Sequence, residues 1–220
     1  MTSASKFNPE ELAHWYFRLN GFMTIPNFVL HPRTSTGNQR TDVDIFGVRF
    51  PNHRELDYKD DQRFSTVGKP YFVIAEVKTG LCVLNGPWKK PEMANMEDVL
   101  RAIGDCPPEM LGSVAKALYD DQRYEDDARL VQIIGVGERL NLDQTCIYRP
   151  HVQIQFHEIC SFIFQRFGQY WRQKRNHQQW DEAGHFLYEA SGKRHDDEAA
   201  FIQDVFPRFG LRDTTVKPPV

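Results

Sequence analysis

Glu76 and Lys78 stand one residue apart inside the run Tyr71-Phe72-Val73-Ile74-Ala75-Glu76-Val77-Lys78. The β-branched and aromatic content of this run predicts a buried strand. Residues i and i+2 of a strand face the same side, so the carboxylate and the ammonium point together. Asp44 lies in a second apolar stretch, Thr41 to Phe50, directly ahead of Ile45 and Phe46. Ionised groups on core strands are costly unless something uses them. Phosphodiester hydrolysis is one such use. Asp44, Glu76 and a backbone carbonyl such as that of Val77 are hard oxygen donors, suited to Mg²⁺ or Mn²⁺. A metal held there polarises a phosphate and lowers the pKa of a bound water. Lys78 is placed to orient or deprotonate that water and to stabilise developing negative charge. The plainer alternative is an ion pair of Lys78 with Glu76 or Asp44 that merely plugs the end of a sheet.

Other residues extend this constellation. Asn8-Pro9-Glu10-Glu11 opens a helix, with Asn8 as N-cap, Pro9 in the first turn and Glu11 at N3. Glu11 has two readings: a further metal ligand projecting from the helix, or a carboxylate that caps it. Asp42 shares a strand face with Asp44, but Asp44 is the better ligand because the apolar pair follows it directly. Arg33 and Arg40 flank the loop before Asp44, and Lys89 and Lys90 follow the strand of Glu76. These four are candidates to hold phosphates, or simply solvated loop charges. Arg166, Arg172, Lys174 and Arg175 lie among Phe164, Tyr170 and Trp171, a mixture that suits nucleic acid. The favoured reading of that mixture is a helix with a core stripe and a polar back. The histidines show no ligand spacing and are assigned no metal.

The elements that must position these residues follow from periodicity and punctuation. Leu12, Trp15, Tyr16 and Leu19 recur at helical spacing until Gly21 stops the helix. Met23 to Leu30 predicts a strand with an irregularity at Pro26. Pro51 to Lys69 reads as a long polar connection. Gly80, Gly86, Pro87 and Pro91 break the chain after Lys78, and helices are expected over 95–104 and 109–121. Residues 129–135 and 151–155 read as further strands. From Phe156 a long amphipathic helix carries Ile159, Ile163 and Phe167 on one face. Residues 186–187 and 199–206 add shorter helical pieces, and the tail from Arg212 reads as loose. The order helix, three strands, helix, strand predicts an α/β fold whose mixed sheet is flanked by helices.

Taken together, Glu11 in ELAHWYFRLNGF, Asp44 in TDVDIFGV and Glu76-Val77-Lys78 in YFVIAEVKTG resemble the PD-(D/E)xK, restriction-endonuclease-like phosphodiesterases. That superfamily includes restriction endonucleases and Holliday-junction resolvases. The resemblance covers about Pro9 to Thr79. It implies an αβββαβ core over residues 1–150, with 151–211 as a helical extension packed on it in the same domain and 212–220 as a tail. It implies a Mg²⁺- or Mn²⁺-dependent nuclease, endonuclease rather than exonuclease. Asp44, Glu76, Lys78 and Glu11 would be its catalytic residues, and Asp44, Glu76, the Val77 carbonyl and Glu11 its metal donors. DNA is the expected substrate, in restriction, repair or defence against mobile elements. A homodimer or a multi-protein complex remains open. The alternatives are a non-catalytic nucleic-acid-binding or assembly subunit on the same fold, and an RNA-directed nuclease.

Composition agrees with an enzyme more than with a coat protein. The 220 residues are 40% hydrophobic, enough for a sizeable core, and fit one domain or one domain with an extension. The formal net charge of −3 argues against sequence-blind coating of nucleic acid. It leaves room for a local basic surface beside an acidic site. No run approaches the ~18 apolar residues of a membrane span, and no signal-peptide pattern follows Met1. Cys82, Cys106, Cys146 and Cys160 lack zinc spacing and read as reduced, mostly buried thiols of a cytoplasmic protein.

Overall fold

The computed structural model describes residues 6–30, 41–53, 59–64, 68–169, 171–175 and 180–213, without the side chains of 41, 42, 173 and 174. Helix α1 (Pro9–Leu19) starts at a capping box. The Asn8 side chain accepts the Glu10 N–H at 3.0 Å, and the Glu11 carboxylate accepts the Asn8 N–H at 2.7 Å. After the helix, Gly21 at φ +81° turns the chain into strand β1 (Met23–Leu30). Strand β2 (Thr41–Arg49) returns antiparallel to β1, and β3 (Tyr71–Leu81) lies antiparallel to β2. Helices α2 (Asn95–Ile103) and α3 (Leu111–Asp121) and the short strand β4 (Arg123–Glu125) lead to β5 (Leu130–Arg139). Strand β5 runs parallel beside β3, the pairing a helical crossover permits. The far edge of β5 is shared: β4 pairs its residues 130–132, and β6 (Val152–Gln155) pairs residues 134–137. The sheet is therefore mixed and six-stranded. Helices α4 (Phe156–Gln169), α5 (Trp171–Lys174), α6 (Glu182–Lys193) and α7 (Glu198–Arg208) complete the described chain.

Alternation on β3 divides the core between two layers. Tyr71, Val73, Ala75 and Val77 face one side, where they join Ile45, Ile134 and Val136 under α1, α4, α6 and α7. Phe72 and Ile74 face the other, with Phe46, Val131 and Ile133 against α2 and α3. Glu76 and Lys78 continue the row of Phe72 and Ile74, so they project toward the layer of α2 and α3. The segment after residue 150 begins by adding β6 to the sheet and then packs α4, α6 and α7 into the same core cluster as α1.

Several boundaries differ from the sequence expectation. Residues 51–69 are expected as a plain polar connection. Within them Phe64 is fully buried on a 3-10 turn (Gln62–Phe64), and Asp60 pairs with the buried Arg49 and Arg166. Arg166 is thereby a core cation, also lying over the Phe162 ring. Strand β3 runs through Gly80, which does not end it: Gly80 takes φ +126° in an irregularity between Lys78 and Leu81. Strand β5 runs on to Arg139 rather than stopping at 135. Helices α6 and α7 are 12 and 11 residues long, not short pieces. At the expected tail, Leu211 is buried and the Arg212 N–H reaches Glu138 at 2.8 Å, while residues 214–220 lie outside the described residues. Among the described residues no helix is long and apolar enough to cross a membrane. All four cysteines are free, with Cys82, Cys106 and Cys160 buried.

Candidate functional site

Strands β2 and β3 bring Asp44, Glu76 and Lys78 together. Ile45 pairs with Ala75 across the two strands, and Asp44 and Glu76 are the next residues outward. Asp44 Oδ2 accepts the Val77 N–H at 2.7 Å, which ties this carboxylate to the backbone of β3. Lys78 Nζ donates to Glu76 Oε1 and lies 3.9 Å from Asp44 Oδ2. The ammonium thus occupies the space between the two carboxylates. Side-chain exposure is graded, at 2% for Glu76, 14% for Asp44 and 28% for Lys78. The acid is deepest and the base reaches toward solvent.

Glu76 has one more partner. Trp88 sits on a 3-10 turn (Gly86–Lys89) and donates its indole N–H to Glu76 Oε2 at 2.7 Å. Its ring is buried in the α2–α3 layer. Sequence reasoning missed this residue, because no spacing links a tryptophan twelve positions downstream to the strand before it. Burial raises the Glu76 pKa above the ordinary carboxylate value, and the neighbouring Asp44 charge raises it further. Hydrogen bonds and charge from Lys78, and the bond from Trp88, pull the other way without cancelling the rise.

The two carboxylates fit a hard divalent cation. Their oxygens already share one cation, the Lys78 ammonium, while burial and the Asp44 charge keep the Glu76 pKa raised. Among the described residues no third His, Cys, Asp or Glu completes a cluster with them. Mg²⁺ tolerates that arrangement, since it usually keeps several waters and takes one or two carboxylates together with substrate phosphates. The contact the structure gives Val77 runs through its amide N–H rather than its carbonyl.

The remaining candidates are placed as follows. Glu11 is engaged as the N3 partner of the capping box. It also lines a cleft of about 360 Å³ with His14, Pro26, Asn27 and Asp181. Asn27 has φ +49°, and it falls between the pairs Pro26–Ile45 and Phe28–Val43, opposite Asp44 on β1. The left-handed conformation, tolerated by Asn, kinks the edge strand beside the site. Lys89 donates to the Tyr119 carbonyl in the last turn of α3 at 3.0 Å, so it secures a helix end. Lys90 is exposed. Arg33 and Arg40 lie outside the described residues, as does the side chain of Asp42.

On the opposite flank, Glu76 and Lys78 pair with Gly135 and Gly137 of β5. A Cβ at Gly137 would lie 3.0 Å from the Gly80 carbonyl oxygen and 3.1 Å from the Cys82 nitrogen. A Cβ at Gly135 would lie 2.3 Å from Pro150. The glycines that weaken the strand signal are those that let neighbouring backbone close over β5 beside the site. Comparison with protein-family models, with curated proteins and with solved structures finds no match.

Proposed function

We propose that this protein is a metal-dependent nuclease of the restriction-endonuclease-like kind, hydrolysing phosphodiester bonds, with DNA the first substrate to test. The observation that carries the reading is the convergence of Asp44, Glu76 and Lys78 on adjacent strands, with Glu76 almost fully buried. The element order supports it. Helix α1, the antiparallel meander β1–β2–β3, helices α2 and α3 and the parallel strand β5 come in an order compatible with an αβββαβ plan, with the short strand β4 inserted before β5.

In this reading Asp44 and Glu76 hold Mg²⁺ or Mn²⁺. The metal would polarise the scissile phosphate and acidify a water. The backbone N–H of Val77 orients Asp44, and Trp88 orients Glu76. Lys78 is the least buried of the three. When it leaves Glu76, its ammonium would come within reach of a phosphate lying over the carboxylates, where it would stabilise developing charge and orient the attacking water, whose proton passes to solvent once a metal has acidified it. Glu11 is a capping residue in this reading, since the hydrogen bond given to its carboxylate lies within its own helix turn.

The test is incubation of the purified protein with duplex DNA, single-stranded DNA and RNA in Mg²⁺, Mn²⁺ or EDTA, with Asp44→Asn alongside. Divalent-dependent cleavage that Asp44→Asn abolishes is the expected result. Binding without cleavage on every substrate would instead make the chain a non-catalytic nucleic-acid-binding subunit.

A further inference from the structure

Immediately past Lys78 the sheet opens a notch. Thr79 and Gly80 of β3, Glu138 and Arg139 of β5, and Gly210 and Arg212 after α7 line a cleft of about 360 Å³. Its floor follows from the irregularity in β3. The register that pairs Lys78 with Gly137 is lost and resumes only at Leu81 with Arg139. Gly80 makes this possible through φ +126°, and Gly137 through the absence of a Cβ facing the Gly80 carbonyl. The notch lies at the carboxyl ends of two parallel strands, where open α/β sheets bind ligands. Gly80 is only two residues, roughly 7 Å of strand, beyond Lys78.

Among the described residues, many arginines are held in ion pairs with carboxylates, whereas Arg18, Arg149 and Arg208 lie over rings or bond a carbonyl. Arg49, Arg63, Arg123, Arg129 and Arg194 each pair with a carboxylate. Arg139 and Arg212 are exposed, and among the described residues no carboxylate forms an ion pair with either. The one acid in the cleft, Glu138, accepts the backbone N–H of Arg212 at 2.8 Å. That bond, with the buried Leu211 before it, pins the segment after α7 to β5 and so fixes Arg212 at the rim.

We propose that this notch is a phosphate subsite, in which Arg139 and Arg212 hold the backbone of a nucleic-acid strand at the end of the sheet just beyond Lys78, where that strand rounds the sheet edge from the α2–α3 face. The proposal rests on the nuclease reading for the identity of its ligand. The arginines position the strand and take no part in bond cleavage. Arg suits the task because its planar donors match phosphate oxygens bidentately.

The experiment measures binding of fluorescent duplex and single-stranded DNA in EDTA, between about 50 and 200 mM NaCl, by anisotropy. The intact chain is compared with Arg139→Gln/Arg212→Gln, with Arg139→Lys/Arg212→Lys, and with a control losing charge at the C-terminal end of α6, Lys193→Gln/Arg194→Gln. Each lost phosphate contact is expected to lower the salt slope by about one, so the Gln pair loses about two and binds roughly 10-fold or more weakly. The Lys pair retains most of the slope, and the control behaves as wild type. In Mg²⁺ the Gln pair raises KM and leaves kcat within about 3-fold. Unchanged affinity and slope in the Gln pair overturns the subsite, whether or not the protein cleaves. A collapse of kcat with unchanged binding overturns it as well. Loss of binding in the Gln pair, in a protein that cleaves nothing, sustains the subsite while removing the nuclease reading.

Discussion

Replacing Lys78 with alanine separates a catalytic centre from a structural plug, because the two make different demands on stability and on metal. In the folded chain the Lys78 ammonium bonds Glu76 and lies 3.9 Å from Asp44. Lys78→Ala leaves a carboxylate with 2% exposure beside a second acid and takes away the cation they share. Breaking a fully buried pair costs about 3–5 kcal/mol. Lys78 is 28% exposed, and Glu76 retains the Trp88 bond and relieves its charge by binding a proton, so a loss of about 1–2 kcal/mol at pH 7 in EDTA is expected. The deficit should shrink in acid, where Glu76 is protonated in both states. A divalent ion at about 100 times its Kd adds about 2.7 kcal/mol to the folded state. Mn²⁺ should therefore restore the variant. Turnover should still fall by about 10²-fold or more, since the metal replaces the charge at the carboxylates but not the donor at the phosphate. Urea unfolding at pH 7 and pH 4.5, with EDTA or Mn²⁺, reads the first effect, and single-turnover cleavage reads the second. The reasoning fails if Lys78→Ala unfolds at the wild-type midpoint in EDTA, or if Mn²⁺ moves neither protein.

Three further outcomes are expected. Trp88→Phe keeps a ring in the α2–α3 layer but removes the donor on Glu76 Oε2, a bond of the kind worth about 1.5–3 kcal/mol; calorimetry should show weaker Mn²⁺ binding, and unchanged affinity would rule out a positioning role. Glu11→Gln keeps a capping-box partner, so stability should fall by less than about 1 kcal/mol and cleavage should persist; loss of cleavage in the folded variant would return Glu11 to the metal. The third concerns pH. The folded-state pKa of Glu76 is raised above its unfolded value, so the stability this acid contributes is full at low pH and is lost as pH rises through the folded value. In EDTA, Glu76→Gln should therefore gain melting temperature relative to wild type between pH 4 and pH 8, and a gap independent of pH would show that the acid ionises without cost.

The strands that carry the site were legible because their patterns are local. Glu76 and Lys78 share a face by alternation alone, and the row Phe72, Ile74, Glu76 emerges on the layer of α2 and α3. What was hidden depends on distant partners. Helix α6 buries Ala183, Gly184, Ala190 and Ser191, a stripe too small and polar to read as amphipathic. Those small residues serve the packing: a Cβ at Gly184 would lie 1.9 Å from the Trp15 ring, and one at Gly192 1.9 Å from Trp171. Gly135 misleads in the same way, reading as the end of β5, while it and Gly137 admit Pro150 and the Gly80 turn against the strand. Strand β4, at three residues, is too short to show alternation. Trp88 could not have been chosen from the sequence, since its bond to Glu76 exists only once the chain after β3 folds back over the strand.

Under the proposed reading, the energetics of Glu76 set out what a metal would change. A carboxylate well matched by positive partners has a lowered pKa. Here Lys78 and Trp88 both bind the group, yet burial and the Asp44 charge still hold its pKa above the ordinary value. Burial and the second acid thus make ionisation of Glu76 costly. In the proposed reading, a cation arriving between the two acids would offset that cost. A divalent ion would supply that charge and release Lys78, the most exposed of the three groups, for the substrate. Under that reading the depths match the roles. Glu76 is buried and fixed to hold a metal, whereas the more exposed Lys78 is able to exchange Glu76 for a substrate phosphate.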